Sequence, residues 1–279
     1  MAERYVLITG ASKGIGRAAA LHLDKLGFHV FAGVRKLADG EALCREASNR
    51  LRPIQIDVTD PTLIASASQQ IKQIVGEAGL YGLVNNAGIA VAAPLEFIPV
   101  EDLRWQLEVN VVGQVAVTQA FIPLLRQARG RIVNISSIGG LVSGKIVGPY
   151  HASKYALEAI NDALRQELKP WGIEVVAIQP GEIATPIWDT ATQMGDAIGL
   201  KMPAQWQTLD GQEVEATRQR AFAAAKNGAA PELVAQAIGH ALTAPRPRTR
   251  YLVGRDAQFV GTIIVNLSAR RRDRLMAMR

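Results

Sequence analysis

Seven short apolar, β-branched runs punctuate the chain, at Tyr5–Thr9, His29–Val34, Ile54–Val58, Gly82–Asn85, Arg131–Ile135, Glu174–Ile178 and Arg250–Val253. Between them lie amphipathic or alanine-rich stretches: Ile15–Leu26, Thr62–Val75, Val100–Gln127, Tyr150–Lys169 and Pro231–Leu242. This alternation constrains the fold more than any single motif, because strands separated by helices pair in parallel and the helices must cover both sheet faces. Runs such as Val6–Ile8 and Val175–Ile178 are apolar without a break, as strands buried on both sides require. The pattern predicts an α/β fold of the doubly wound kind. It has a seven-stranded parallel sheet with helices on both faces and forms one domain over 1–279.

Composition narrows the function. Cys44 is the only cysteine, so no internal disulfide forms, and a reducing, cytoplasmic setting fits. The histidines (His22, His29, His151, His240) have no metal-ligand spacing. The N-terminus runs straight into a strand-like segment with no secretory pattern, and no apolar run approaches the ~18 residues that span a bilayer. The net charge of +6 lies in the tail: from Arg246 onward there are nine Arg against two Asp, while the rest is close to neutral. A nucleic-acid-binding enzyme would carry a basic face on its body, so no nucleic-acid partner is expected. Residues 258–279 join a mostly apolar stretch, Gln258–Leu267, to Arg270, Arg271, Arg272 and Arg274. Either this tail packs as a helix on the body or a partner, the favoured reading, or it docks on an anionic membrane surface.

The first strand leads into Thr9-Gly10-Ala11-Ser12-Lys13-Gly14-Ile15-Gly16 and then a helix. Gly10 permits a tight turn, Gly14 lets backbone approach a pyrophosphate, and Gly16 allows close helix–strand packing. The helix N-terminus offers unpaired N–H groups and the positive end of its dipole. A dinucleotide cofactor is expected here. The second strand ends Val34-Arg35-Lys36, without the acid that binds an NAD ribose. Arg35 can pair with a 2′-phosphate and Lys13 can face it, so NADP(H) is the expected form. From Pro186 to Gly228 no strand appears. A segment of this length beyond the sixth strand is placed to cover substrate as a lid (186–228).

TGASKGIG (9–16), NNAG (85–88), Asn110, the Ser137/Tyr150-x-x-x-Lys154 set and PGEIAT (180–185) together resemble the short-chain dehydrogenase/reductase family, over essentially the whole chain. The resemblance implies a single Rossmann domain with strand order 3-2-1-4-5-6-7. Tyr150 and Lys154 stand at i and i+4 on one helix face. A free tyrosine has a pKa near ~10, too high for a base at neutral pH. A nearby ammonium and an oxidised nicotinamide favour the phenolate, so Tyr150 becomes a general acid/base between alcohol and carbonyl. By resemblance, Ser137 holds the substrate oxygen, and Asn110 positions a water that links Lys154 to solvent. The glycine turn with Ser12 and Ile15 holds the dinucleotide. Asp57 and Val58 contact adenine, and Asn86, Ala87 and Gly88 flank its ribose. Pro180, Gly181, Ile183 and Thr185 frame the nicotinamide. His151 and Tyr155 read as structural.

Leu80–Val84, Gly130–Val133, Ser153–Glu158 and Arg248–Tyr251 look like the hydroxysteroid and retinol dehydrogenase branch. Trp188, Met194, Met202 and Trp206 in the lid suit an apolar alcohol or carbonyl substrate. The family's usual interface pairs two copies of Val100–Gln127 and Tyr150–Lys169, which implies a homodimer or homotetramer. The rival reading is a catalytically weak NADP-binding sensor on the same fold, against which the complete Asn110/Ser137/Tyr150/Lys154 set argues.

Overall fold

The computed structural model describes residues 3–277. In chain order the elements are β1 (Tyr5–Thr9), α1 (Gly14–Lys25), β2 (His29–Val34), α2 (Leu37–Cys44), β3 (Leu51–Gln55), α3 (Pro61–Val75), β4 (Gly82–Asn85), α4 (Val100–Leu107), α5 (Gly113–Ala128), β5 (Arg131–Ile135), α6 (Gly148–Leu168), β6 (Glu174–Pro180), α7 (Ile187–Gly199), α8 (Gln205–Asn227), α9 (Pro231–Thr243), β7 (Arg250–Val253), α10 (Arg255–Thr262) and α11 (Ala269–Ala277). All seven strands are parallel, in the order β3-β2-β1-β4-β5-β6-β7.

The two faces of the sheet bury different cores. Val6, Ile8, Val84 and Val133 face Ala19, Leu23, Val234 and Ile238 of α1 and α9. Leu7, Leu83 and Ile132 face Ile71, Phe121, Leu125 and Leu168 of α3, α5 and α6. Successive residues of one strand thus enter opposite cores, which is why the strands carry no polar alternation.

The strand order reverses between β1 and β4, leaving a crevice at their carboxyl ends. Thr9 closes its floor. Its buried Oγ1 accepts hydrogen bonds from the backbone N–H groups of Asn86 and Ala87, both at 3.0 Å. The Asn86 amide Nδ2 donates back to the carbonyls of Thr9 (2.9 Å) and Gly10 (3.1 Å). Deeper, Asn85 Nδ2 donates to Thr118 Oγ1 and to Asn134 Oδ1, both at 2.9 Å, and Asn134 Nδ2 donates to Asn161 Oδ1 at 3.1 Å. This chain of buried amides locks β4 and β5 to α5 and α6.

Two elements differ from the sequence reading. β3 lies at Leu51–Gln55 rather than Ile54–Val58. It pairs only with β2, so an edge strand tolerates Arg52 and Pro53, while Ile56 and Val58 are buried beyond the end of the ladder. The helix expected as one piece over Val100–Gln127 is broken by a π-turn at Glu108–Val112. The whole 100–128 stretch is long and apolar enough to span a membrane by composition alone, contrary to the expectation that no run reaches that length. Here it is a core element, with Val117, Phe121 and Leu125 fully buried. Segment 186–228 is two helices, α7 and the largely polar α8. In the tail, Val260 and Ile264 pack with Val142 and Ile138 on the body and with the tail's own Leu267, and the arginines of α11 are mostly exposed. The last two positions of the tail reading, 278 and 279, lie outside the described residues.

Thr9→Val, which keeps shape but removes the acceptor of two N–H groups, is expected to cost about 2 kcal/mol. Thr9→Ser is expected to retain most of the stability. Urea midpoints of the two variants check this.

Candidate active site

The glycine turn takes its shape from three different steric demands. Gly10 (φ +66°) and Gly14 (φ +56°) adopt left-handed backbone, which L side chains avoid. A Cβ on Gly16 would stand 2.3 Å from the Gly10 carbonyl oxygen and 2.5 Å from Asn86 Nδ2. The N-terminus of α1 has no side-chain cap and no acid in its first turn. Its N–H groups therefore face the crevice unopposed, and the turn fits a dinucleotide pyrophosphate. A Cβ on Gly14 would touch Thr185 Cβ at 3.2 Å, so the Pro180–Thr185 segment closes over the turn. Pro180 and Ile183 are buried, Pro180 in register with Val253 and Ile183 bridged to Ala229. Where a Gly181 Cβ would point, Asp256 Oδ2 stands 2.0 Å away; that carboxylate accepts from the Glu182 N–H at 2.7 Å.

Arg35 ends β2 exposed, with no acid beside it in the chain. The exposed Lys13 reaches across the turn, its Nζ 3.4 Å from Thr190 Oγ1 on α7. It thus links the glycine turn to α7. Asp57 turns its Oδ1 to the N–H (3.0 Å) and hydroxyl (2.8 Å) of Thr59, while Val58 is buried against the start of α5, where a Gly113 Cβ would meet its carbonyl at 2.6 Å. Ser12 and Ile15 are half-buried in the turn and Gly88 is exposed beyond β4.

Ser137, Tyr150, Lys154 and Asn110 come together. Ser137 caps the turn after β5, its Oγ accepting from the Gly139 N–H at 3.0 Å. Tyr150 and Lys154 share one face of α6, and Lys154 Nζ lies 5.7 Å from the Tyr150 ring centroid. The ammonium is buried and donates to the Ile135 carbonyl at 2.8 Å. Desolvation pulls its pKa down to about 8, against the opposing pull of Glu158. Desolvation also pushes the Tyr150 phenol up, and a hydrogen bond with Ser137 works the other way. Both groups are therefore drawn toward their neutral forms.

Asn110 lies in the π-turn, fully buried. Its Oδ1 accepts from Ile89 N–H at 2.9 Å; its Nδ2 donates to the Ile89 carbonyl at 2.9 Å and to Ser153 Oγ at 3.0 Å. Ser153 in turn donates to the Tyr150 carbonyl at 2.6 Å. Both amide hydrogens are spent, so the side chain clamps the loop after β4 to the catalytic helix. Sequence reasoning missed that Asn110 has two companions. Gln106 accepts from Val91 N–H at 2.7 Å and Gln114 donates to the Ala87 carbonyl at 3.1 Å. The signal was legible as amides at positions 106, 110 and 114, spaced by four along one helix face. His151 packs on Gly139, where a Cβ would stand 2.5 Å from its ring. Burial pulls its pKa down to about 4, so it is a neutral filler behind the Ser137 turn. Tyr155 is 42% exposed and points away from the crevice residues.

Helices α7 and α8 face the loop after β4. Val91, Phe97 and Ile98 pack against Ile198, Met202, Met194 and Trp206. A cavity of about 280 Å³ lies between them, walled by Ala93, Pro94, Met202, Trp206 and Val214, with the Asp196–Arg218 pair at its side. An adjoining one of about 50 Å³ is lined by Ala92, Ala191 and Ile146. Ser137, Tyr150 and Lys154 line neither; Ile146, four residues before Tyr150, connects these apolar spaces to the catalytic helix. It is buried at φ +67°, a conformation β-branched residues rarely adopt, and its carbonyl accepts from Ala93 N–H at 2.9 Å.

The chain matches the family model described as short chain dehydrogenase over residues 4–196. It is 41% identical over 267 residues to dehydrogenase/reductase SDR family member 9 of Bos taurus (92% of this chain, 82% of the relative). It is 39% identical to retinol dehydrogenase 5 of Mus musculus (92% and 83%) and 38% identical to an NADPH-dependent 3-dehydrocapnine reductase of Ornithobacterium rhinotracheale (90% and 88%). A crystal structure of a short chain dehydrogenase from Burkholderia cenocepacia in complex with NADP superposes with a TM-score of 0.73 at 26% identity, covering 99% of this chain and 97% of that one.

Ile146→Gly removes buried surface but also relieves left-handed strain of about 1–2 kcal/mol. Its net cost is expected to be about 1 kcal/mol, against about 3 kcal/mol for Ile71→Ala in the core. Parallel denaturant titrations check the contrast.

Proposed function

The chain belongs to the short-chain dehydrogenase family, in its hydroxysteroid- and retinol-dehydrogenase-like branch, and we propose that it is an NADP(H)-dependent oxidoreductase interconverting an apolar alcohol and its ketone or aldehyde. The observation that carries the reading is the convergence of Ser137, Tyr150 and Lys154 at the carboxyl end of β5. A bound nicotinamide dinucleotide would supply the hydride donor or acceptor. The residues do the rest. Ser137 and Tyr150 offer hydroxyls to one substrate oxygen. Tyr150, held protonated by its buried setting, gives its proton to a carbonyl oxygen as reduction proceeds. The Lys154 ammonium, aimed by the Ile135 carbonyl, stabilises the phenolate left behind. In the reverse direction the same pair takes the proton from an alcohol.

Arg35, exposed where an acid would bind a ribose hydroxyl, supports NADP(H). One relative is described as NADPH-dependent and one solved neighbour holds NADP, while two others hold NADH and NAD, so the choice rests on Arg35. The apolar walls between lid and loop, and the retinol dehydrogenase relative, support a steroid-, retinoid- or lipid-like substrate. The exposed Trp105, Val112 and Tyr155 on α4, the π-turn and α6 support assembly into a homodimer or homotetramer through these helices.

The test is turnover with NADPH and NADH against steroid, retinoid, aliphatic and small polar carbonyls. Activity confined to small polar carbonyls would overturn the apolar substrate, and a Tyr150→Phe protein with unchanged turnover would overturn the mechanism. Arg35→Glu is expected to shift the NADPH/NADH ratio of kcat/KM toward NADH by at least tenfold. For carbonyl reduction, log(kcat/KM) is expected to fall above about pH 8, as Lys154 loses its proton. A pH profile in NADPH checks this.

A further inference from the structure

One turn beyond Lys154, α6 carries a carboxylate that the mechanism above does not use. Glu158 is 7% exposed. Its Oε1 accepts from Gln179 Nε2 on β6 at 2.9 Å, and its Oε2 accepts from Arg250 Nε on β7 at 2.9 Å. Arg250 also donates to Asp162 Oδ1 at 2.7 Å, so one guanidinium bridges two successive acids of the catalytic helix. The turn that presents Ser137 packs on the same spot: a Cβ on Gly140 would stand 2.9 Å from Glu158 Cγ and 3.0 Å from the Lys154 carbonyl. A buried carboxylate held by two donors has one orientation. Such a group is costly unless it is paired, and Arg250 alone would serve a merely structural role. Its place at i+4 from the buried Lys154, with the Ser137 turn against its stem, gives it a further task.

We propose that Glu158 is a positioning residue of the catalytic centre, which keeps the Lys154 ammonium charged and seats the Ser137 turn against α6, with Arg250 as the counter-ion that fixes the carboxylate. The charged groups facing Glu158 are few. Its own helix brings Lys154 and Asp162, with Arg165 behind Asp162, and β7 brings Arg250. β6 contributes the neutral Gln179, and the turn after β5 contributes glycine. Two opposite effects therefore reach Lys154. Removing the carboxylate takes away an attraction and lets the ammonium deprotonate at lower pH. Removing the guanidinium takes away a repulsion and leaves Lys154 as the cation nearest along α6 to a carboxylate still held by Gln179, so the ammonium persists to higher pH.

The proposal rests on the Tyr150/Lys154 reading, and the experiment separates the two. Log(kcat/KM) for carbonyl reduction is measured against pH for the parent, Glu158→Gln, Arg250→Gln and Tyr150→Phe, with circular dichroism to verify folding. Glu158→Gln is expected to move the alkaline limb down by about one pH unit, and Arg250→Gln to move it up by about half a unit. A structural tie alone would lower activity at every pH and leave the alkaline limb at the parent's pH in both variants. Equal shifts, or no shift in either variant, would overturn the proposal while leaving an inactive Tyr150→Phe protein in support of the mechanism. Should Glu158→Gln fail to fold, an upward limb in Arg250→Gln still supports the electrostatic role, and its absence rejects it.

Discussion

The burial of one charge organises the catalytic half of the molecule. Lys154 leaves water on a helix laid across the sheet, and an ammonium so placed must find an acceptor. The acceptor is the Ile135 carbonyl, which is free because β5 ends there and its chain turns away at Ser136 and Ser137. A helix tied to a strand end in this way cannot slide or rotate without stranding the charge. The position of Tyr150, one turn earlier on α6, follows from that tie, and so does the distance from it to Ser137.

The cofactor half is held by neutral groups. Thr9, Asn86 and the three glycines make a floor in which side-chain oxygens and amides satisfy backbone that neither strand nor helix can pair. Gln106, Asn110 and Gln114 do the same for residues 87–91. The two halves meet at Asn110. It grips Ile89 on one side and, through Ser153, the Tyr150 backbone on the other. The π-turn widens the helix where that amide must reach both partners, a local departure of the kind that π-turns often mark at functional sites.

The strands, the glycine turn and the Tyr150/Lys154 pair were legible because their signals are local: apolar runs, left-handed glycines, an i to i+4 spacing. β3 was misplaced because burial and pairing come apart at an edge. Ile56 and Val58 are buried past the last strand pair, Ile56 adding only an N–H to the Val34 carbonyl, while the exposed Arg52 and the donor-less Pro53 lie within the ladder. Lys13 was assigned to a phosphate from its place in the turn, but its contact with Thr190 depends on where α7 lands, 177 residues away. Glu158 looked like any acid on an amphipathic helix. Only the register of β6 and β7, which brings Gln179 and Arg250 beside it, shows that this acid faces inward.

Ile146 is the point of backbone strain between the apolar spaces and α6. A left-handed β-branched residue costs about 1–3 kcal/mol and persists only where its surroundings overdetermine it. Here the Ala93 N–H fixes its carbonyl, and the apolar space beneath α7 fixes its side chain. The same backbone twist that starts the catalytic helix therefore sets how far an apolar wall projects toward the lid. Ile146 stands only two residues before α6, so the strained backbone and the apolar wall it carries are fixed by where that helix begins.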